Sequence, residues 1–336
     1  TCMNRCYISS SNDPYFNLSL EQCLYSRIGQ NERILYLWRN AEVVVIGRFQ
    51  NPWTECDVDK MKQDCIKLMR RHSGGGAVYQ DLGNLCFTLI TGNDFDPNMQ
   101  KELNNDFIVS ALKNLSIDAV ASGRNDILVG EKKISGAAFQ VQRGCLMHHG
   151  TLLIDTDLNG LQSYLNPSKY KLESKGIKSV RSRVGNLVEF NEKIDVELMI
   201  GALKATYQEV FGVFDAVEVV GDELLNSSVE LRNEYEILSS WDWLYGKTPE
   251  FTDSYKKRFF WGEIEILLKV NNGIVADVTV YTDSLNVNIV DIIKGCLLGI
   301  QFQVENLYLE IINKASLVEG STKEQLMDVA QLLLGK

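Results

Sequence analysis

Apolar and polar positions change rhythm from segment to segment along this chain, and each rhythm predicts an element. Residues 4–10 read as a short strand. Asp13-Pro14 then opens a predicted helix carrying Leu18, Leu20, Leu24 and Ile28, with Asp13 as its cap and Pro14 as its first residue. Ile34 to Trp38 and Val43 to Gly47 are rich in β-formers, and Arg39-Asn40-Ala41 between them predicts a hairpin. Residues 57–70 place Val58, Met61, Cys65 and Leu68 on one face of a predicted helix. Strand-like runs follow between 76 and 155, broken by one helix near 98–115, and 191–211 is helical again.

From Phe259 the texture changes. Ile264, Ile266 and Leu268 alternate with Glu263, Glu265 and Leu267, and Asn271-Asn272-Gly273 supplies a turn before Ile274 to Tyr281. Two helices are predicted to close the chain, near 284–299 and 321–334, the second opening on the capping box Ser321-Thr322-Lys323-Glu324. A hairpin and two helices make a small α+β unit, so a boundary falls near 250, by Pro249. Residues 1–250 then form a large domain and 251–336 a small C-terminal one. The length of 336 residues asks for the same division, since a single core usually serves ~100–200 residues.

Composition removes several function classes. At 45% hydrophobic, 23% charged and a mean hydropathy of −0.11, the chain is an ordinary globular protein rather than a disordered one. No apolar run approaches the ~18 residues of a membrane span; Val43-Val44-Val45-Ile46 is strand-sized. No membrane partner is expected. Thirty-four basic against 44 acidic residues leave a net charge of −10, which repels phosphate and argues against nucleic-acid binding. A phosphorylated ligand would need a local basic island. The eight cysteines include no C-x-x-C pair and read as buried reduced thiols in a reducing compartment. The opening Thr1-Cys2-Met3-Asn4-Arg5 reads as a mature form whose targeting peptide, if any, has been removed.

Three stretches carry chemistry. Arg70-Arg71-His72-Ser73 runs into Gly74-Gly75-Gly76 and then the strand-like Ala77-Val78-Tyr79-Gln80. Three consecutive glycines let backbone approach a ligand where a Cβ would clash. No Gly-Lys-Ser/Thr follows, so this is not a P-loop. The second stretch runs from Ser122-Gly123-Arg124-Asn125-Asp126 to Lys132-Lys133-Ile134-Ser135-Gly136. On a strand one of the adjacent lysines points inward and needs an anion or polar ligand, with Lys133 the better candidate, while two solvated turn lysines fit the pattern equally well. The third is the basic island. Six basic residues and one acid lie between Lys169 and Arg183, and a phosphate-closing loop and a solvated turn both fit them. His148-His149 lacks a third ligand at metal spacing, so no metal site is expected, although one histidine could line a pocket.

Together these stretches resemble the lipoate–protein ligase and lipoyltransferase family. Arg-Arg-x-Ser-Gly-Gly-Gly-Ala-Val-Tyr-x-Asp-x-Gly-Asn over 70–84 is similar to its lipoate-binding loop. Gly-x-Lys-x-Ser-Gly-x-Ala contains its essential lysine at Lys133, and 178–186 resembles its adenylate-binding loop. Trp38, Gly47-Arg48 and Asn51-Pro52-Trp53 match as well, and the vertebrate mitochondrial lipoyltransferase is the form it most resembles. The resemblance implies an α/β (α+β) fold: a large mixed-sheet catalytic domain like those of biotin and lipoate protein ligases, plus a small C-terminal domain. It implies transfer of a lipoyl group from lipoyl-AMP to a lysine of apo lipoyl domains of 2-oxoacid dehydrogenases or of apo-H protein, in the mitochondrial matrix. Lys133 would be catalytic. Trp38, Arg71, Ser73, Gly74, Gly75, Gly76, Val78, Tyr79, His149 and Thr151 would hold the lipoyl group. Asn84, Arg124, Asn125, Asp126, Val180, Arg181 and Ser182 would hold the adenylate. No tightly bound cofactor is implied; Mg²⁺ enters only if lipoate is activated with ATP. His72, and Gln80 where self-activating ligases tend to carry histidine, favour a preformed donor, with the complete ATP-dependent ligase or transfer between carrier proteins as alternatives.

Overall fold

Residues 2–123, 125–166, 184–246 and 251–335 are described by the computed structural model of the protein. They fall into two units, Thr1–Val45 with Thr54–Met69 and Val78–Leu244, and Ile46–Trp53 with Arg70–Ala77 and Tyr245–Lys336.

The first unit is built on strands β1 (Met3–Ser9), β2 (Glu32–Trp38), β6 (Asn84–Thr91), β7 (Ala119–Ser122), β8 (Asp126–Val129), β9 (Lys132–Gln142), β10 (Cys145–Leu153) and β11 (Ala216–Val220). They form one mixed sheet in the order β11-β1-β2-β6-β10-β9-β8-β7, parallel at β11-β1-β2 and antiparallel from there on. Both faces are covered, which explains why β2 is almost wholly apolar. Its Leu35 and Leu37 pack with Phe107, Ile108 and Leu112 of α2 (Pro97–Asn114) and with Met199 and Leu203 of α3 (Val196–Phe211). Ile34, Tyr36 and Trp38 face the other way, toward Phe16, Leu18 and Leu20 of α1 (Pro14–Ser26) and Leu231 and Leu238 of α4 (Val229–Leu238). Asp13 caps α1 by accepting the Tyr15 N–H, with Pro14 at the first turn as the sequence predicts.

In the second unit, β12 (Asp253–Phe259), β13 (Gly262–Asn271) and β14 (Ile274–Thr282) form an antiparallel sheet. Ile264, Ile266 and Leu268 pack on α5 (Asn288–Leu297), α6 (Val304–Ala315) and α7 (Gly320–Leu333). Asn272 and Gly273 make the predicted β13–β14 turn with φ of 51° and 76°. A large mixed-sheet domain with a smaller α+β unit is the expected fold class.

Several local expectations are corrected. β2 and β3 (Val43–Ile46) are not a hairpin; β2 pairs within the large sheet, whereas β3 pairs with β5 (Val78–Gln80) in a separate sheet that also holds β4 (Lys67–Arg70). The helix expected over 57–70 stops at Gln63, where Cys65 at φ 57° turns the chain, and Leu68 sits on β4. α1 ends at Ser26, short of Ile28. β12 and α6 were not expected. α7 starts at Gly320 with Glu319 as its cap residue, so Ser321–Glu324 lies inside the first turn. All eight cysteines are free thiols, five of them buried.

Candidate functional site

In the first unit, Lys132 and Lys133 open β9 and serve different partners. Lys132 Nζ stands 2.6 Å from Glu189 Oε1 and holds that carboxyl below its usual range. Lys133 Nζ stands 2.9 Å from Asp126 Oδ1 on β8. The pairing of β8 with β9 slips by one residue between Ile127 and Leu128, leaving Ile134 as an extra residue on β9. Such a bulge re-aims the side chains beside it. Ile134 goes wholly into the core, while Lys133 and Asp126 each keep about a third of their side chains in solvent. A half-solvated pair is weak, so an incoming anion can take the ammonium from the carboxylate. Gly136 makes the room: a Cβ there would stand 3.0 Å from Lys133 Cε. Asn125 accepts the Ala137 N–H at 2.8 Å and donates its side-chain amide to the Ala137 carbonyl at 3.1 Å, fixing the β8 end of this corner.

β10 carries the next residues. Thr151 Oγ1 bridges the Gly136 N–H and carbonyl at 3.3 and 3.4 Å. His149 Nδ1 lies 3.0 and 3.1 Å from the two carboxylate oxygens of Glu21 on α1. Glu21, almost fully buried, also accepts from Thr88 Oγ1, which in turn accepts from the Trp38 indole N–H at 2.9 Å. One buried polar chain thus links Trp38 to His149. His148 points to the other side of the sheet between Phe87 and Phe139, with Asn104 Nδ2 donating to its Nδ1 at 3.2 Å. Burial pushes the His148 imidazole down to about 3, so it is neutral.

Three expected ligand residues sit otherwise than expected. Asn84 is completely buried at the start of β6; its Nδ2 reaches Cys86 Sγ and its Oδ1 has no hydrogen-bond partner among the described residues. Val78 and Tyr79 are neighbours on β5 and so face opposite sides, and only one of them can face a given ligand from this strand. Tyr79 stacks on Tyr164 at 6.3 Å over Gly160, while Val78 is exposed. Gln80 accepts from the buried Asn40 amide at 2.8 Å, and Asn40 accepts from Asn17.

In the second unit, the glycine-rich loop is held by its own arginines. Arg71 donates to the Gly74 carbonyl through Nε and a terminal nitrogen, at 3.1 and 2.8 Å, and to the Gly76 carbonyl at 2.7 Å. Arg70 donates to the carbonyls of Gly47, Arg48 and Gln50. Ser73 is fully buried and its carbonyl accepts the Arg48 N–H. A Cβ on Gly74 would run into the Ser284 carbonyl, and Gly75 sits at φ 98°, so the close approach these two glycines permit is to the protein itself. Gly76 alone of the three has open space around its missing Cβ. Arg124, Val180, Arg181 and Ser182, with the whole 169–183 island, lie outside the described residues.

Residues 13–208 match the family described as lipoyl protein ligase A/B catalytic domain, and 248–333 the bacterial lipoate protein ligase C-terminus. The chain belongs to the lipoate–protein ligase family. This family member is 41% identical over 335 residues to "Lipoate-protein ligase A" of Psychrobacter cryohalolentis, covering 98% of this chain and 97% of that one. Among solved structures it is similar to P. falciparum LipL1 in complex with lipoate, with a TM-score of 0.84, 33% identity and coverage of 99% and 100%. It is also similar to a structure from an archaeal lipoylation system, described as a bi-partite lipoate protein ligase and its E2 lipoyl domain from Thermoplasma acidophilum, at a TM-score of 0.66, 28% identity and coverage of 74% and 99%.

Sequence reasoning missed Glu21 and Thr88. The available signal was Glu21 itself, a carboxylate one turn after Asn17 on the apolar side of α1, since a buried acid needs a partner. Its partner His149 lies 128 residues away, beyond local pattern.

Proposed function

We propose that this enzyme joins a lipoyl carboxyl group to the ε-amine of a lysine on an acceptor lipoyl domain or H protein, by way of lipoyl-AMP. The lysine nitrogen attacks the acyl carbonyl, the carbonyl–phosphate bond breaks, AMP leaves with the electron pair, and the amine gives up a proton. Such a reaction needs no enzyme nucleophile. It needs a cation beside the oxygens where charge develops. The observation that carries the reading is Lys133, an ammonium on a bulged strand, paired with an Asp126 carboxylate that is about a third exposed and that an anion can displace. Asp126 keeps it aligned, and Asn125 and Thr151 fix the strands that carry it.

For the source of the adenylate, the ATP-dependent ligase has the better support. The argument for a preformed donor leans on Gln80, yet that amide is buried and bonded to Asn40, so packing accounts for its identity. Similarity to a ligase A over nearly the whole of both chains points the same way. The second reading, transfer from preformed lipoyl-AMP as in a mitochondrial lipoyltransferase, keeps the departure at His72 in its favour. Apo lipoyl domain offered with lipoate and MgATP, or with lipoyl-AMP, separates them. The ligase yields product and lipoate-dependent pyrophosphate exchange from the first mixture; product from lipoyl-AMP alone decides for transfer, and product from neither ends both readings.

A further inference from the structure

The main chain of Lys133 is held from its two sides by different means. Toward β8 its neighbour is Leu128, at the slip that leaves Ile134 extra. On the other side β10 accompanies β9 only as far as the pairing of Gly150 with Ala137, and so stops short of Lys133. A short later segment takes that edge instead. Val184 bridges Lys133 in parallel, and the Gly185 N–H donates to the Lys133 carbonyl at 3.0 Å. The approach is close: a Cβ on Gly185 would stand 2.8 Å from Lys132 Cδ and from Glu189 Oε2.

One backbone hydrogen bond does not fix a register alone, and neighbouring side chains supply the rest. Asn186 is buried, and its amide clasps the main chain of Thr156: Oδ1 accepts the Thr156 N–H and Nδ2 donates to the Thr156 carbonyl, both at 3.0 Å. Its own N–H donates to Glu189 Oε2 at 2.6 Å. Thr156 is in turn tied to Asp81, its Oγ1 donating to Asp81 Oδ1 at 2.7 Å. Asp81 also accepts the N–H groups of Gly83 and Asp157, each at 2.9 Å. A line of hydrogen bonds thus runs from Asp81 through Thr156 and Asn186 to the segment lying on Lys133. A polar network satisfied in this way rigidifies the chain around it.

We infer that Asn186 is a positioning residue for Lys133, and that Thr156 and Asp81 act through it. Their route is the main chain rather than the ammonium, which pairs with Asp126. Asn186 sets where Gly185 lies, and Gly185 holds the Lys133 carbonyl. Charge stabilisation at an acyl carbonyl depends on placement, and a shift of about 1 Å caused by a change away from the chemistry can cost about 10² in rate. The inference rests on the transfer reading above and on its assignment of the reaction to Lys133.

The test is single-turnover transfer from lipoyl-AMP to apo lipoyl domain, measured above the enzyme-free reaction. Asn186→Ala should lower the rate about 10²-fold, with the half-saturating acceptor concentration within about twofold of wild type. The same substitution made in Lys133→Ala should cost less than about threefold, because nothing is left to position. Thr156→Val keeps the shape but loses a hydrogen bond to a charged group and should slow transfer about tenfold; Thr156→Ser should restore it. A rate for Asn186→Ala equal to wild type overturns the positioning role. So does an equal loss with and without Lys133, which marks a general structural effect. Where Asn186→Ala does not fold, or Lys133→Ala is too slow to follow, the Thr156 pair decides: equal rates for Thr156→Val and Thr156→Ser overturn the role. A fully active Lys133→Ala overturns the assignment to Lys133, and a wild type that lipoylates nothing overturns the transfer reading; the positioning role falls with either.

Discussion

Arg70–Arg71 and Lys132–Lys133 are both adjacent pairs of like charge in stretches that resemble motifs of lipoate–protein ligases, yet the structure uses them in opposite ways. The arginines, in the second unit, are buried and spend their forked donors on five backbone carbonyls around the glycine loop. The lysines, in the first unit, remain more than a third exposed and each faces one carboxylate. Guanidinium suits the first task because its fixed fork satisfies several carbonyls at once; ammonium suits the second because a point charge on a flexible stem can change partner. The difference separates side chains committed to holding backbone from side chains whose single ion pairs leave them able to change partner.

Lys133→Ala breaks the comparison most severely. Removing a donor at a developing oxyanion costs ~10²–10³ in rate, about 2.7–4 kcal/mol, and single-turnover transfer from lipoyl-AMP should fall by at least that much. The melting temperature should change little, because the partly exposed pair with Asp126 contributes at most ~1 kcal/mol. Lys132→Ala should lose little activity, as its exposed pair with Glu189 is worth at most ~1 kcal/mol. Equal losses in the two variants would mean that the strand's shape rather than the Lys133 charge carries the chemistry.

Arg71→Lys sharpens the other half. Lysine keeps the charge but cannot serve the Gly74 and Gly76 carbonyls together, and a lost charged hydrogen bond costs about 1.5–3 kcal/mol. Urea unfolding should show that loss together with the loss of activity. Preserved stability with lost activity would give Arg71 a part in the reaction rather than in holding the loop.

The same logic divides the glycines. Gly74→Ala must displace the Ser284 carbonyl and should cost about 1–3 kcal/mol, whereas Gly76→Ala meets nothing within 4 Å and should fold normally. Thermal unfolding of the two variants gives the comparison directly. From sequence the three glycines look alike. Only the fold shows that two of them lie against protein.

What could be read in advance followed local physics. Asp13-Pro14 starts a helix, Asn272-Gly273 turns a hairpin, and alternation separates Lys132 from Lys133. α6 was also readable, since Leu307, Ile311 and Ala315 recur at i, i+4 and i+8. What local pattern could not give were choices made at long range. β2 takes β6 rather than its sequence neighbour β3, Glu21 waits for His149, and the extra Ile134 appears only once β8 and β9 are paired. Strand alternation already opposes Val78 and Tyr79 facing one ligand together.

The two histidines of β10 give the last and smallest test. His149 faces Glu21, while His148 is sealed between two phenylalanines with its Nε2 lacking a hydrogen-bond partner among the described residues. Burial lowers the His148 pKa from 6.5 to about 3. Between those values the unfolded chain binds a proton that the folded chain refuses, so folding stability falls as pH drops through this window and is complete above it. Each pH unit within the window removes up to about 1.4 kcal/mol through this group. His148→Phe removes the linkage while keeping an aromatic ring between Phe87 and Phe139, and it leaves the Asn104 amide without its acceptor. Denaturant midpoints across the window should therefore fall less steeply in the variant than in wild type, even if the variant begins lower. Identical slopes would show that His148 takes up its proton in the folded protein as readily as in the unfolded one, and that the sealed side of β10 is open to water.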